Sequence, residues 1–235
     1  TWAASEASKK PISMPGGSAG NTVIGIGKLG GSARFVGKSG IGEMARLFEK
    51  DLKNSNVDPA LFKSPSPTGR VLSIITPDAQ RSMLTFLGAA SETQPEEITE
   101  NCFENAAIVH VEGYLLFNED LIMAALKGAK AAGALVSLDL ASFTVVEASK
   151  TLLKKIVKDF VDILIANEDE AKIFTGHRDE IKAVRSLSEN TQIAALKVGE
   201  RGSFISHDGK IINIEAIGSG AAVDTTGAGD LWASG

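Results

Sequence analysis

The chain reads as an α/β protein: a doubly wound, mainly parallel sheet flanked by helices, with a small β-sheet lid. Three observations predict this. From about residue 100 short apolar runs alternate with helical patterns. Those runs are apolar on both faces, which implies a sheet covered on each side. Before them lies a segment whose residues partly alternate in polarity about a turn, as in a hairpin with one exposed face.

The four runs are AAIVHVEG (106–113), ALVSLDL (134–140), VDILIAN (161–167) and IAALKVG (193–199). Between them, NEDLIMAALKGAKAAG and DEIKAVRSLSEN carry apolar residues at three- and four-residue spacing and predict helices. Ligands of such sheets bind beyond the carboxyl ends of the strands. That rule singles out Glu112, Asp139, Asn167 and Gly199, which follow or end the runs. The segment TGRVLSIITPDAQRSMLTFLGAA (68–90) has two strand-like runs around TPDAQ and is read as part of a β lobe, either a mobile lid or a stabilising flap.

Length and composition narrow the function classes. A chain of 235 residues suits one domain with a well-buried core. With 43% hydrophobic and 23% charged residues the composition is that of an ordinary globular protein, not a disordered or fibrous one. A formal net charge of -5 and the lack of a basic run argue against a nucleic-acid partner. No apolar stretch approaches the roughly 20 residues that span a bilayer, so no membrane partner is expected. The single cysteine, Cys102, leaves no internal disulfide, and the opening residues lack the order of a secretory leader. A cytoplasmic location is expected.

Two glycine-rich segments mislead. GIGKLG (25–30) matches G-x-G-x-x-G, but GGSAGNTVI before it is no β-branched strand, and the spacing suits a closely packed, glycine-tolerant helix better. GGSARFVGKS (30–39) resembles a P-loop, yet Ser32 stands where the first glycine belongs and ARFVGK reads as a strand.

The last segment, DTTGAGD (224–230), is more informative. A glycine-rich turn entering a helix aims backbone N–H groups at one point, where the helix dipole adds positive potential. An anion is expected on Gly227, Ala228 and Gly229, with Asp230 in the first helical turn beside it. A carboxylate so placed suits a general base acting on a hydroxyl during phosphoryl transfer. Read by themselves, Asp230 is equally a first-turn acid and Asp224 a turn cap.

DTTGAGD resembles the signature of the ribokinase-like (PfkB) family of carbohydrate and nucleoside kinases, and three further segments follow the family's order. GGSAGNT (16–22) is similar to the early segment that touches substrate hydroxyls. NEDEAKIFTG (167–176) resembles the Asn-x-x-Glu motif tied to magnesium and phosphate. LKVGERGSF (196–204) resembles the strand and loop that line the nucleotide site.

The resemblance implies Asp230 as the base and Gly227, Ala228 and Gly229 as the anion hole for the γ-phosphate of ATP. It implies Gly16, Gly17 and Asn21 as substrate contacts, and Asn167, Lys197, Gly199 and Gly202 as ATP contacts. Many relatives carry Thr where Lys197 stands. Glu170 is implied to act on Mg²⁺ through water, as suits an ion that dehydrates reluctantly. Asp224 is similar to a residue that helps form a K⁺ site in some relatives, or else caps a turn. His110 is read as a strand residue, His177 and His207 as loop residues.

The implied activity is ATP-dependent phosphorylation of a hydroxymethyl group on a nucleoside or sugar, most similar to adenosine kinase. A ribokinase- or fructokinase-type sugar kinase is the alternative. From other classes come an NAD-dependent oxidoreductase using GIGKLG and a non-catalytic nucleotide or sugar sensor. Phe86 and Tyr114 are read either as aromatics stacking a nucleobase or as core residues. No Arg or Lys cluster offers itself to a second substrate phosphate. The whole of 1–235 is expected to form one kinase domain, with a lid from about 1–15 and 68–90 through which the family often forms homodimers. Relatives begin with a strand carrying a substrate-gripping Asp and continue past the catalytic helix, so the chain is expected to be incomplete at both ends.

Overall fold

The computed structural model describes residues 13–75, 81–218 and 225–235. Helix α1 (Ser18–Lys28) leads into strand β1 (Ala33–Ser39), helix α2 (Glu43–Asn54) and strand β2 (Val57–Lys63). A hairpin of β3 (Arg70–Ile75) and β4 (Arg81–Phe86) follows. The remaining elements alternate: β5 (Ile108–Glu112), α3 (Glu119–Ala131), β6 (Leu135–Asp139), α4 (Phe143–Ala148), α5 (Lys150–Phe160), β7 (Ile163–Asn167), α6 (Glu168–Thr175), α7 (Glu180–Leu187) and β8 (Ile193–Lys197). The chain closes with β9 (Ser203–His207), β10 (Lys210–Ile214) and α8 (Ala228–Ala233).

The main sheet has six strands in the order β10-β9-β8-β7-β6-β5. Strands β5 to β8 pair in parallel, and β9 and β10 add antiparallel pairs at one end. Parallel neighbours need a crossover: α3 joins β5 to β6, α4 and α5 join β6 to β7, and α6 and α7 join β7 to β8, with α3 and α7 falling on the two helical patterns named from the sequence. Because the parallel strands advance in one direction, right-handed crossovers put these helices on a common face. There Val136, Leu138, Leu164, Ala194 and Leu196 meet Leu126, Ile156 and Val184 in a core that excludes water. Each such fully buried Leu or Ile contributes roughly 1.5–3 kcal/mol relative to exposure.

The opposite face carries the chemistry. Register pairs His110 with Ser137, Glu112 with Asp139, and Asn167 with Lys197. Paired residues share a face and alternate positions return to it, so these polar groups gather near the carboxyl ends of the strands.

Strands β1 and β2 pair in parallel, and a second, smaller core holds Ile24, Leu52 and Val57. Phe35 and Phe48 pack edge-to-face on it, ring centroids 5.2 Å apart. GIGKLG begins inside α1, as its spacing predicts, and Gly25 and Gly27 serve close packing. A Cβ on Gly27 would lie 1.8 Å from the Ser55 carbonyl oxygen, and one on Gly25 would lie 2.3 Å from Ser234 Oγ. Helix α1 can therefore lie directly against α8, which brings residues from opposite ends of the chain together.

Two expectations need correction. His207 is the last residue of β9, not a loop residue, because SFISH pairs on both sides, with β8 and β10. Phe86 and Tyr114 are not core residues: both are about half exposed, at 50% and 48%. His110 lies in β5 and His177 in the loop after α6, as expected. Among the described residues no helix is long and apolar enough to cross a membrane.

Candidate active site

The first turns of α1 and α8 face each other. Gly17 is the N-cap of α1 with φ 104°, a conformation that favours glycine. One residue later Ser18 Oγ donates to Asp230 Oδ1 at 2.8 Å, and one helical turn on Asn21 Nδ2 donates to Asp230 Oδ2 at 2.8 Å. Residues three apart share one face of a helix, so Ser18 and Asn21 act as a two-pronged clamp on the carboxylate. Gly16 and Gly17 have no atom within 4 Å of where a Cβ would stand.

Gly227 caps α8 in the left-handed region, φ 76°, and turns the chain so that the helix starts beside Asn21. Ala228 and Gly229 form the first turn with Asp230. The Ala228 N–H donates to the Thr225 carbonyl at 3.1 Å, so it is committed within the turn. The remaining first-turn amides of a helix have no intrahelical partner. Of the three residues read as anion donors, Gly227, Ala228 and Gly229, the middle one has its N–H tied into the turn. Asp224 lies outside the described residues.

Lys197 ties this turn to the sheet. Its Nζ pairs with Asp139 Oδ2 at 2.6 Å and stands 3.3 Å from the place of a Cβ on Gly229. The other oxygen of Asp139 accepts from the Ala141 N–H at 2.9 Å. Gly199 and Gly202 bound the short turn after β8, with φ of 60° and 92°. A Cβ on Gly202 would strike the Ile214 carbonyl oxygen at 1.9 Å, so this glycine is required by packing against β10 as well.

Asn167 and Glu170 form a reciprocal capping box at the start of α6. Asn167 Oδ1 accepts from the Glu170 N–H at 3.0 Å. The Glu170 oxygens accept from the Asn167 backbone N–H and from Asn167 Nδ2, each at 2.7 Å. Glu170 is only 2% exposed. Loss of hydration pushes its carboxyl up to about 7; the Asn167 N–H opposes this, Asp139 adds to it, Lys197 opposes it and Glu112 adds to it. The pair is therefore a helix cap and part of a buried acidic group at once.

Two side chains deepen the site. Glu112 is buried, and its Oε2 has no hydrogen-bond partner among the described residues. Its Oε1 lies 3.4 Å from His110 Nε2, while His110 Nδ1 lies 3.0 Å from Ser137 Oγ. The Tyr114 phenol is pushed up by burial and by the charges of Glu112, Glu170 and Asp230, against a hydrogen bond with Ser142 that lowers it. Its hydroxyl donates to the Ala141 carbonyl at 3.4 Å.

The structure thus brings Asp230, Asn21 and the Gly227–Gly229 turn together, and joins them through Lys197 to Asp139 and the buried Glu170. Sequence reasoning passed over Ser18, although its three-residue spacing from Asn21 was the available signal. Glu112 and Asp139 were marked only as strand-end positions.

Arranged in this way, the groups set a glycine turn with Lys197 beside it next to a carboxylate held on both oxygens. Among the described residues no three or more His, Cys, Asp or Glu are arranged to cage a metal directly.

Comparisons with known proteins agree over nearly the full length. The model for "pfkB family carbohydrate kinase" matches residues 7–235. The Arabidopsis thaliana protein named "Probable fructokinase-7" is 28% identical over 239 residues, covering 94% of this chain and 68% of the relative. The crystal structure of adenosine kinase from Sinorhizobium meliloti is 30% identical, with a TM-score of 0.89 over 100% of this chain and 74% of that one. A structure described as a probable sugar kinase from Rhizobium etli CFN 42 is likewise 30% identical, with a TM-score of 0.90 over 100% of this chain and 73% of that one. A family match from residue 7 to the last residue leaves one conclusion: the chain belongs to the pfkB family of carbohydrate kinases and is a phosphotransferase.

Proposed function

We propose that the chain, acting as one kinase unit, transfers the γ-phosphoryl group of Mg-ATP to a hydroxymethyl group of a nucleoside or sugar, with adenosine as the leading acceptor. One observation carries the reading: Asp230, held on both oxygens, stands in the first turn of α8 beside a glycine turn suited to an anion. Asp230 takes the hydroxyl proton, the freed oxygen bonds to the γ-phosphorus, the bond from that phosphorus to the bridging oxygen breaks, and ADP leaves. The amides around Gly227, Ala228 and Gly229, with Lys197, stabilise charge on the transferring group. Mg²⁺, when bound, neutralises phosphate charge; Glu170 and Asn167 would hold it through water. Gly199 and Gly202 would shape the ATP side, and Gly16, Gly17 and Asn21 the acceptor side, where the unpartnered Glu112 oxygen suits a hydroxyl donor.

The half-exposed rings of Tyr114 and Phe86 support a nucleoside acceptor, since a ring face free of the core can stack on a base. A second reading, fructose as acceptor, is supported by the likeness to a plant fructokinase-named protein. The test is ADP release with Mg-ATP across adenosine, other nucleosides, ribose, fructose and fructose 6-phosphate. Asp230→Asn is expected to cut turnover by ~10²- to 10⁴-fold; full activity in that variant would sink the mechanism. Running the assay with K⁺ replaced by tetramethylammonium checks the K⁺ role proposed for Asp224. A homodimer through the hairpin is the proposed assembly, supported by a face on which Leu72, Ile74, Leu84 and Phe86 are all exposed.

A further inference from the structure

We infer that Ser18 is a positioning residue, one that fixes which oxygen of Asp230 receives the acceptor's proton. The inference rests on Asp230 being the base. The two carboxylate oxygens are not equivalent. Oδ2 lies 3.6 Å from the place of a Cβ on Gly227, and Asn21 Nδ2 lies 3.3 Å from the same point. Oδ1 is farther from that point and is held by the Ser18 hydroxyl at 2.8 Å. Oδ2 is therefore the oxygen that faces the anion turn.

The terminal torsion of an aspartate is broad and roughly two-fold, so a carboxylate held at one oxygen can still swing the other away. Donors on both oxygens remove that freedom. A carboxylate oxygen has two lone-pair sites, so Oδ2 can keep Asn21 and still accept from an entering hydroxyl. Ser18 can hold its place because α1 is packed without slack: Gly27 sits against the Ser55 carbonyl and Gly25 against Ser234 at the end of α8. The clamp and the carboxylate are thus parts of one rigid pair of helices.

In the transfer step the acceptor proton goes to Oδ2, the acceptor oxygen bonds to the γ-phosphorus, and the bond to the bridging oxygen breaks to release ADP. The Ser18 proton stays on Ser18 throughout. The hydroxyl is there to aim the carboxylate, so its loss lowers the rate of transfer without weakening ATP binding.

The experiment compares Ser18→Ala, Ser18→Thr and Asp230→Asn with the unaltered chain, using ADP release from Mg-ATP with adenosine and with D-fructose. Ser18→Ala is expected to lower kcat on the order of 10- to 100-fold, the range that a misaimed catalytic group costs. The ATP KM and the melting temperature stay near those of the unaltered chain, and Ser18→Thr, which keeps the hydroxyl, restores most of kcat. If neither acceptor turns over, the same comparison is read on ADP release with water as acceptor. Unchanged kcat in Ser18→Ala beside an inactive Asp230→Asn overturns the inference and leaves the base reading standing. So does an equal fall in kcat and melting temperature for both Ser18 variants. An active Asp230→Asn overturns the base reading itself.

Discussion

Replacing Glu170 by Gln makes a sharp test of the buried acidic group. The carboxyl is 2% exposed and titrates near 7 against an ordinary 4.5, burial being the main cause. The folded state therefore binds the proton more tightly than the unfolded one. Below about pH 4.5 both states hold it and the full benefit is present; as pH rises through 7 the folded state must give it up in a buried setting. At ~1.36 kcal/mol per pH unit the difference corresponds to ~3 kcal/mol, lost between about pH 4.5 and 7. Glutamine cannot ionise, so its stability has no such slope. It keeps an acceptor for the Asn167 N–H, as capping boxes allow, but turns an amide donor toward Asn167 Nδ2, at a cost of ~1–3 kcal/mol. In urea unfolding followed by circular dichroism, the variant should be weaker than the unaltered chain at pH 5. The gap should close or reverse by pH 8. A gap of the same size at pH 5, 6, 7 and 8 would refute the assignment of a proton to Glu170.

Other outcomes follow from single contacts. Gly27→Ala raises helix propensity by ~1 kcal/mol, yet its Cβ would meet the Ser55 carbonyl at 1.8 Å. Urea unfolding should show a net loss of at least ~2 kcal/mol, and a gain would show that α1 does not lie against Ser55. Lys197→Met leaves Asp139, whose side chain is 9% exposed, without its cation. A destabilisation of ~3 kcal/mol and a raised ATP KM are expected, whereas a change in KM alone would mean the pair does not support the fold. Leu84→Lys places a charge on the exposed hairpin face. If the proposed dimer forms through this face, light scattering should find it reduced to monomers in the variant, and an unshifted dimer would move the interface elsewhere.

How far the sequence could be read depended on whether a signal was local. Strands β5 to β8 were legible because runs such as ILIA are apolar on both faces, a pattern that only a covered sheet explains. The hairpin of β3 and β4 showed through partial alternation. In contrast, β9 and β10 were passed over although Asp208 and Gly209 join them with φ of 51° and 73°, the combination a two-residue hairpin turn demands. Strand β2 was hidden by Pro59, which pairs opposite Phe35 in a two-stranded sheet. Proline weakens a strand signal without forbidding an outer strand.

By itself the sequence determined the α/β class, the family and the identity of the motifs that carry chemistry. Glycine spacing, helix caps and apolar periodicity are properties of neighbouring residues, and they survive without a fold. What only the tertiary structure decided is which motifs touch. Asp230 meets Ser18 and Asn21 across 212 and 209 residues of chain, a contact that no local pattern encodes. Lys197 could be read as an ATP ligand but not as the partner of Asp139, 58 residues away on a non-adjacent strand. Glu170 likewise became a buried acid only when β7, β8 and the helices α4 and α7 packed against α6. Sheet order and close helix packing set those distances, and the electrostatics of the site follows from them.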